Sequence, residues 1–178
     1  MPAVTRRSIP IAELTVAAWS VWDKTWFALT AGEFAPGRFN TMTVSWGGLG
    51  CMWGRPFAMV VVRPQRYTRE FIDRCDTFSL CAFAPQYRPA LDLLGTKSGR
   101  DSTKMADCGL TPIALERIAC PGFAEADLIL ECRKIYADDL NPSGFLAEYI
   151  ASTYHNDYHR MYFGEILAVQ GIAAYRRP

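Results

Sequence analysis

The segment Phe57-Ala58-Met59-Val60-Val61-Val62 constrains this chain most: six apolar residues in a row, ending in three valines. β-Branched side chains favour extended backbone, and a run with no polar position calls for cover on both faces. A buried central strand is the expectation. Around it stand segments with the period-2 alternation of half-buried strands. Trp26–Thr30 is a short one, Thr41–Trp46 alternates hydroxyls with larger, mainly apolar side chains, and Thr77–Phe83 alternates again. Leu128–Tyr136 and Met161–Val169 complete a set of six. The candidate helices are short. Thr68–Arg74 has Thr68 as an N-cap and Glu70 in the first turn, where the helix dipole favours an acid. The others are Pro85–Leu94, Ser102–Cys108 and Phe145–Thr153. Strands broken by Gly, Pro and short helices predict a closed or partly open β-barrel.

The chain has 178 residues, enough for a single domain spanning 1–178, and is 50% hydrophobic. Lys plus Arg is 19 and Asp plus Glu is 18, a net charge of +1. That balance argues against a general electrostatic grip on nucleic acid and leaves room only for local basic clusters. Two histidines are too few for a His-rich metal site. Glu13 interrupts the only candidate apolar stretch near the N-terminus, so neither a signal peptide nor a membrane span of ~20 apolar residues is expected. Six cysteines (51, 75, 81, 108, 120 and 132) without a C-x-x-C pair predict reduced thiols, mostly small core residues, and a cytoplasmic protein.

Several familiar motifs fail on spacing or context. Gly48-Leu49-Gly50-Cys51-Met52-Trp53-Gly54 is one residue too long for a dinucleotide loop and leads into a strand, not a helix. Gly95-Thr96-Lys97-Ser98 lacks the leading glycine of a phosphate-binding P-loop. His155 and His159 have the spacing of a zinc peptidase, but Asn156 stands where the general-base Glu belongs, which favours two surface or interface histidines. There is no G-x-S-x-G nucleophile elbow.

Positive charge collects in two places. In Val62-Arg63-Pro64-Gln65-Arg66-Tyr67-Thr68-Arg69-Glu70 a strand ends, a Pro fixes a turn and a helix starts. Forked guanidinium donors beside free N–H groups suit a phosphate. Gly95–Lys104 is a second cationic, hydroxyl-bearing loop before a helix. Either alone is usually a solvated turn. With the hydroxyl-faced strand they describe a site for a flat, partly apolar, phosphorylated ligand. Trp46, Trp53, Phe57, Tyr67 and Phe83 could line a ring system, although most belong in a core.

These residues resemble the flavin reductase-like, FMN-binding split-barrel family, which includes flavoredoxins. The likeness lies in Asn40-Thr41-Met42-Thr43-Val44-Ser45-Trp46-Gly47, Arg63-Pro64-Gln65-Arg66-Tyr67-Thr68, Thr77–Leu80 and Gly95–Asp101. It continues through Pro121–Ala126, Leu130–Cys132 and His159–Ile166, and so covers about residues 20–170. The resemblance implies a mainly β fold, a six-stranded split β-barrel of Greek-key type with short flanking helices. It also implies a homodimer holding FMN noncovalently near the subunit interface. Asn40, Thr41, Met42, Thr43, Ser45 and Trp46 would lie along the ring and ribityl chain. Arg63, Arg66, Tyr67 and Thr68 would take the phosphate, and Lys97 and Ser98 would close over it.

The activity implied is an NAD(P)H:flavin oxidoreductase, with NADH or NADPH as co-substrate. The alternative is a flavoredoxin-like electron-transfer protein reduced by a redox partner protein. Direct hydride transfer requires no protein nucleophile, acid or base, so no catalytic residue is expected. Neither nucleic acid nor membrane is an expected partner. Cys51, Cys81 and His159 could lie near the flavin, but packing is the more common role for the cysteines and a structural hydrogen bond for His159.

Overall fold

All six expected strands are present in the computed structural model, which describes residues 4–100, 103–154 and 156–177. His155, Asp101 and Ser102, the expected start of one helix, lie outside the described residues. The chain runs β1 (Arg7–Ser8), β2 (Phe27–Gly32), β3 (Phe39–Val44), β4 (Gly47–Met52), β5 (Arg55–Val62), α1 (Thr68–Arg74), β6 (Thr77–Ala82), α2 (Arg88–Thr96) and α3 (Lys104–Asp107). A small separate pair follows, β7 (Pro112–Ile113) and β8 (Gly122–Phe123), then β9 (Leu128–Asp139), α4 (Glu148–Thr153) and β10 (Arg160–Gly171).

The main sheet is antiparallel throughout, in the order β3-β2-β6-β9-β10-β5-β4. The β9–β10 ladder shifts register between Phe163 and Gly164, where β9 carries the extra residue, and between Ile166 and Ala168, where β10 does. One edge of β10 carries β5 along its first half and β1 at Gln170–Gly171. The architecture is the expected mainly β one, with short helices against an antiparallel sheet.

Alternation explains the two hydrophobic cores. Phe27 and Leu29, Phe78 and Leu80, Leu128 and Leu130, and Tyr162 turn inward to one cluster. Their neighbours Ala28, Cys81 and Ile129 turn outward and meet Ala90, Leu91 and Leu94 of α2 in a second. Tyr162 is fully buried and donates its hydroxyl to Asp73 of α1 at 2.7 Å, so the core reaches the helix through one satisfied polar group.

Four local expectations differ from what forms. The run Phe57–Val62 is covered on one face only: Ala58, Val60 and Val62 are buried, while Phe57, Met59 and Val61 are partly exposed. Helices α1 and α2 pack on β2 and β3 instead of over β5. The glycine run, to which the sequence assigned no element, forms β4 of a β4–β5 hairpin. Trp53 and Gly54 take φ of 54° and 67°, the two left-handed residues of a tight hairpin turn. Thr68 is the first helical residue and not the cap: the cap position falls to Tyr67, and the Thr68 hydroxyl accepts from Asn40 Nδ2 at 2.7 Å. Finally, β3 stops at Val44, which frees Ser45 and Trp46 to line a cavity, and the expected Phe145–Thr153 helix begins only at Glu148. No helix among the described residues is long and apolar enough to cross a membrane.

Candidate functional site

Two cavities meet where the ends of β3 and β5 face α2. The larger is about 350 Å³. Its walls are Trp26 ahead of β2, Met42–Trp46 at and beyond the end of β3, Val61 and Arg63 at the end of β5, Leu91 to Thr96 on α2, and His159 ahead of β10. The smaller, about 200 Å³, lies between the 65–68 turn and the 96–98 loop, with Lys104 at its back. Met42, Arg66 and Thr96 line both, so the cavities adjoin.

The larger cavity is aromatic and apolar. Trp46 is half-exposed and its ring lies 5.1 Å from that of His159. Trp26 holds a left-handed φ of 64° and has the Arg88 guanidinium 3.7 Å above its ring. Arg88 is anchored in turn on the Lys24 carbonyl. The Thr43 hydroxyl donates to the Leu91 carbonyl and fixes α2 against β3. His159 is buried, with Nδ1 2.9 Å from the Tyr154 hydroxyl. Burial, then the nearby Arg63, pushes its pKa down to about 4, so its imidazole is neutral at pH 7.

The smaller cavity is cationic. Arg66 is held below its ordinary pKa by burial and by Arg63, and its Nη2 donates to the Leu94 carbonyl. Arg63 has a carboxylate partner, Asp157, at 3.1 Å. Among the described residues Arg66 and Lys104 have none. Lys104 is only 2% exposed, and burial followed by the Arg66 charge pushes its pKa down to about 8. Two sequestered cations without counter-charges are costly unless an anion joins them.

Ten of the twelve residues expected from sequence line one cavity or the other. Met42, Thr43, Ser45, Trp46, Arg63 and Arg66 face the larger; Tyr67, Thr68, Lys97 and Ser98 join Met42 and Arg66 around the smaller. Asn40 and Thr41 line neither. Asn40 is buried under Thr68, and the Thr41 hydroxyl pairs with Thr30 at 2.9 Å inside the sheet. Cys51 is exposed on β4 and Cys81 sits in the second core, its thiol pushed up to about 12 by burial; neither lines a cavity. Sequence reasoning left out Trp26, Leu91 and Lys104 as site residues. Lys104 stood in the second basic loop, but nothing in the spacing shows that its stem folds inward.

Flat aromatic walls beside a cationic pocket suit a ring system carrying a phosphate. Residues 26–176 match the family model described as the flavin reductase like domain. The chain belongs to the flavin reductase-like family. No protein of curated function matches this family member. Among solved structures, it is similar to an FMN-binding domain of a flavin reductase-like enzyme from Shewanella baltica. That match has 18% identity and a TM-score of 0.68, covering 96% of this chain and 79% of that one. It is also similar to flavoredoxin of Desulfovibrio vulgaris, at 22% identity and a TM-score of 0.65, covering 90% and 73%. A third is the NADH:FAD oxidoreductase of Streptomyces globisporus, at 14% identity and a TM-score of 0.63, covering 84% and 76%. At these identities the likeness is one of fold.

Proposed function

We propose that this flavin reductase-like protein binds FMN noncovalently and acts as an NAD(P)H:flavin oxidoreductase, delivering reducing equivalents to an acceptor. The observation that carries the reading is the join between the cavities: an aromatic slot runs directly into a pocket holding Arg66 and Lys104, neither of which has a carboxylate partner among the described residues. Trp46, Met42 and Leu91 would wall the ring. Arg66, Lys104, Thr68 and Ser98 would hold the phosphate, whose charge of about −1.5 to −2 near pH 7 matches two cations. When bound, FMN supplies hydride chemistry between a nicotinamide and an acceptor. The chain's part is to bind, orient and shield. The neutral His159 adds no charge to the slot, and Tyr154 fixes its ring plane.

The test is anaerobic mixing of the FMN-loaded protein with NADH and, separately, NADPH, following loss of the yellow flavin band. Fast bleaching with either nucleotide supports a reductase and identifies its donor. No bleaching, with dithionite still effective, supports a second reading: an electron-transfer protein reduced by a protein partner. The likeness to flavoredoxin is the observation behind that alternative.

The uncovered face of β5 and β10 supports the expected homodimer. Phe57 and Phe163 pack ring to ring at 5.2 Å on this face, with Tyr136 beside Phe163 and Trp53 exposed at the hairpin tip. We assign this apolar face to a second copy of the chain. Light scattering behind size exclusion should give a dimer mass; a monomer across micromolar concentrations would reject the assignment.

A further inference from the structure

We infer that Lys104 makes the smaller cavity selective for a phosphate monoester, and that Lys104 takes up a proton as the ligand enters. The inference rests on the proposed FMN site and names the flavin form that site accepts: FMN over both riboflavin and FAD.

Burial and geometry carry it. Lys104 is the first residue of α3 and lies at the back of the cavity, almost wholly removed from water. Among the described residues its one hydrogen bond is a long one, 3.3 Å from Nζ to the Lys97 carbonyl. An ammonium carries three donors, so among the described residues two remain for the cavity. The described groups acting on its charge are Arg66, from the turn after β5, and Cys108, at the end of its own helix. Asp107, on the same helix, is engaged by the Thr103 hydroxyl. The site therefore favours an arriving anion, and one of high charge most.

The two loops that flank the cavity are tied to each other. Arg100 donates to the Gln65 carbonyl at 3.1 Å and to Glu70, and its guanidinium lies 4.9 Å from the Tyr67 ring centroid. These contacts tie the 96–100 loop to the 65–70 turn. Gly99 presses so close to Asn40 that a Cβ there would sit 2.4 Å from Oδ1. A terminal phosphate fits between these tied loops. The pyrophosphate of a dinucleotide would have to part the two loops, and each of its phosphates carries one charge where a monoester carries nearly two.

The proton follows from the same burial. In the free protein Lys104 has a pKa of about 8, so near that pH a substantial fraction is neutral. A dianion restores the charged form, and the complex binds a proton that the free protein lacks. The monoester's own second ionisation, near pH 6, is complete by then.

The experiment measures binding of FMN, riboflavin and FAD by flavin fluorescence in the wild type, Lys104→Met and Lys104→Arg. Calorimetry of FMN binding at pH 8, in buffers of different ionisation enthalpy, counts protons. The wild type should prefer FMN to both other flavins and take up about half a proton. Lys104→Met should cut the FMN-to-riboflavin preference by about tenfold or more and abolish the uptake, while Lys104→Arg keeps the preference. Using a ratio cancels any effect on the ring cavity. FAD binding as tightly as FMN, an unchanged ratio in Lys104→Met, or no proton uptake in the wild type would each overturn the inference. The proton count needs no variant, so it stands even if Lys104→Met does not fold. Binding of no flavin at all would instead reject the proposed function.

Discussion

The Tyr154 hydroxyl and His159 Nδ1 are 2.9 Å apart, both in buried side chains, and His159 lines the larger cavity. Burial, then the nearby Arg63, disfavours a charge on this imidazole, which is neutral at pH 7. His159 therefore has a folded pKa near 4, below the ordinary 6.5, so the unfolded chain binds the extra proton between those values. Its contribution to stability is present above pH 6.5 and is lost as pH falls through 4. Melting temperature should drop from pH 7 to pH 4 more steeply in the wild type than in His159→Gln. Identical slopes would show that His159 is not the group responsible.

Arg66→Ala and Lys97→Ala should both weaken FMN binding, by about 1–3 kcal/mol, the scale of a lost charged hydrogen bond. The two should not be equal. Arg66 is half-buried and shared by both cavities, whereas Lys97 is exposed and its attraction is screened. Arg66 belongs at the upper end of the range and Lys97 at the lower. Fluorescence titration at two salt concentrations separates them, with Lys97→Ala removing the larger part of the salt dependence. Unchanged affinity in both variants would place the phosphate elsewhere.

Thr41 tests how far sequence alone could define this site. Its place in the Asn40–Trp46 stretch made it a candidate, yet β3 turns Thr41 into the sheet against Thr30. Thr41→Val should leave FMN affinity unchanged and cost about 1 kcal/mol of stability by orphaning the Thr30 hydroxyl. Chemical denaturation gives one number and flavin titration the other; a selective loss of affinity would contradict the placement.

What was legible in the sequence follows a physical division. Strands announce themselves by alternation, and a basic turn by its arginines, so β6 and the Arg63–Thr68 turn could be read directly. β4 could not: Gly47-Gly48-Leu49-Gly50 carries almost no side-chain signal, and only pairing with β5 makes it a strand. Burial of a long polar side chain is equally silent. Lys97 and Lys104 look alike in one basic loop, but one ends up exposed and the other 2% exposed because α3 turns the second inward. The covering of β5 depended on where α1 and α2 came to rest, which no local pattern records.

Gly99 closes the loop over the smaller cavity, and its need for a bare backbone is steric. Its φ lies outside the left-handed region, so no backbone strain is at issue. A Cβ there would meet Asn40 Oδ1 at 2.4 Å and the Tyr67 ring at 3.1 Å. Asn40 cannot easily yield, because it is buried and holds Thr68. Gly99→Ala should therefore lift the 96–100 loop, loosen the Arg100 bridge to Gln65 and Glu70, and destabilise the fold by about 1–3 kcal/mol. FMN affinity should fall with it, while riboflavin affinity changes less. Gly144→Ala is the control, since a Cβ there meets nothing within 4 Å. Equal melting temperatures for the two variants would mean that the loop has slack and does not close the cavity.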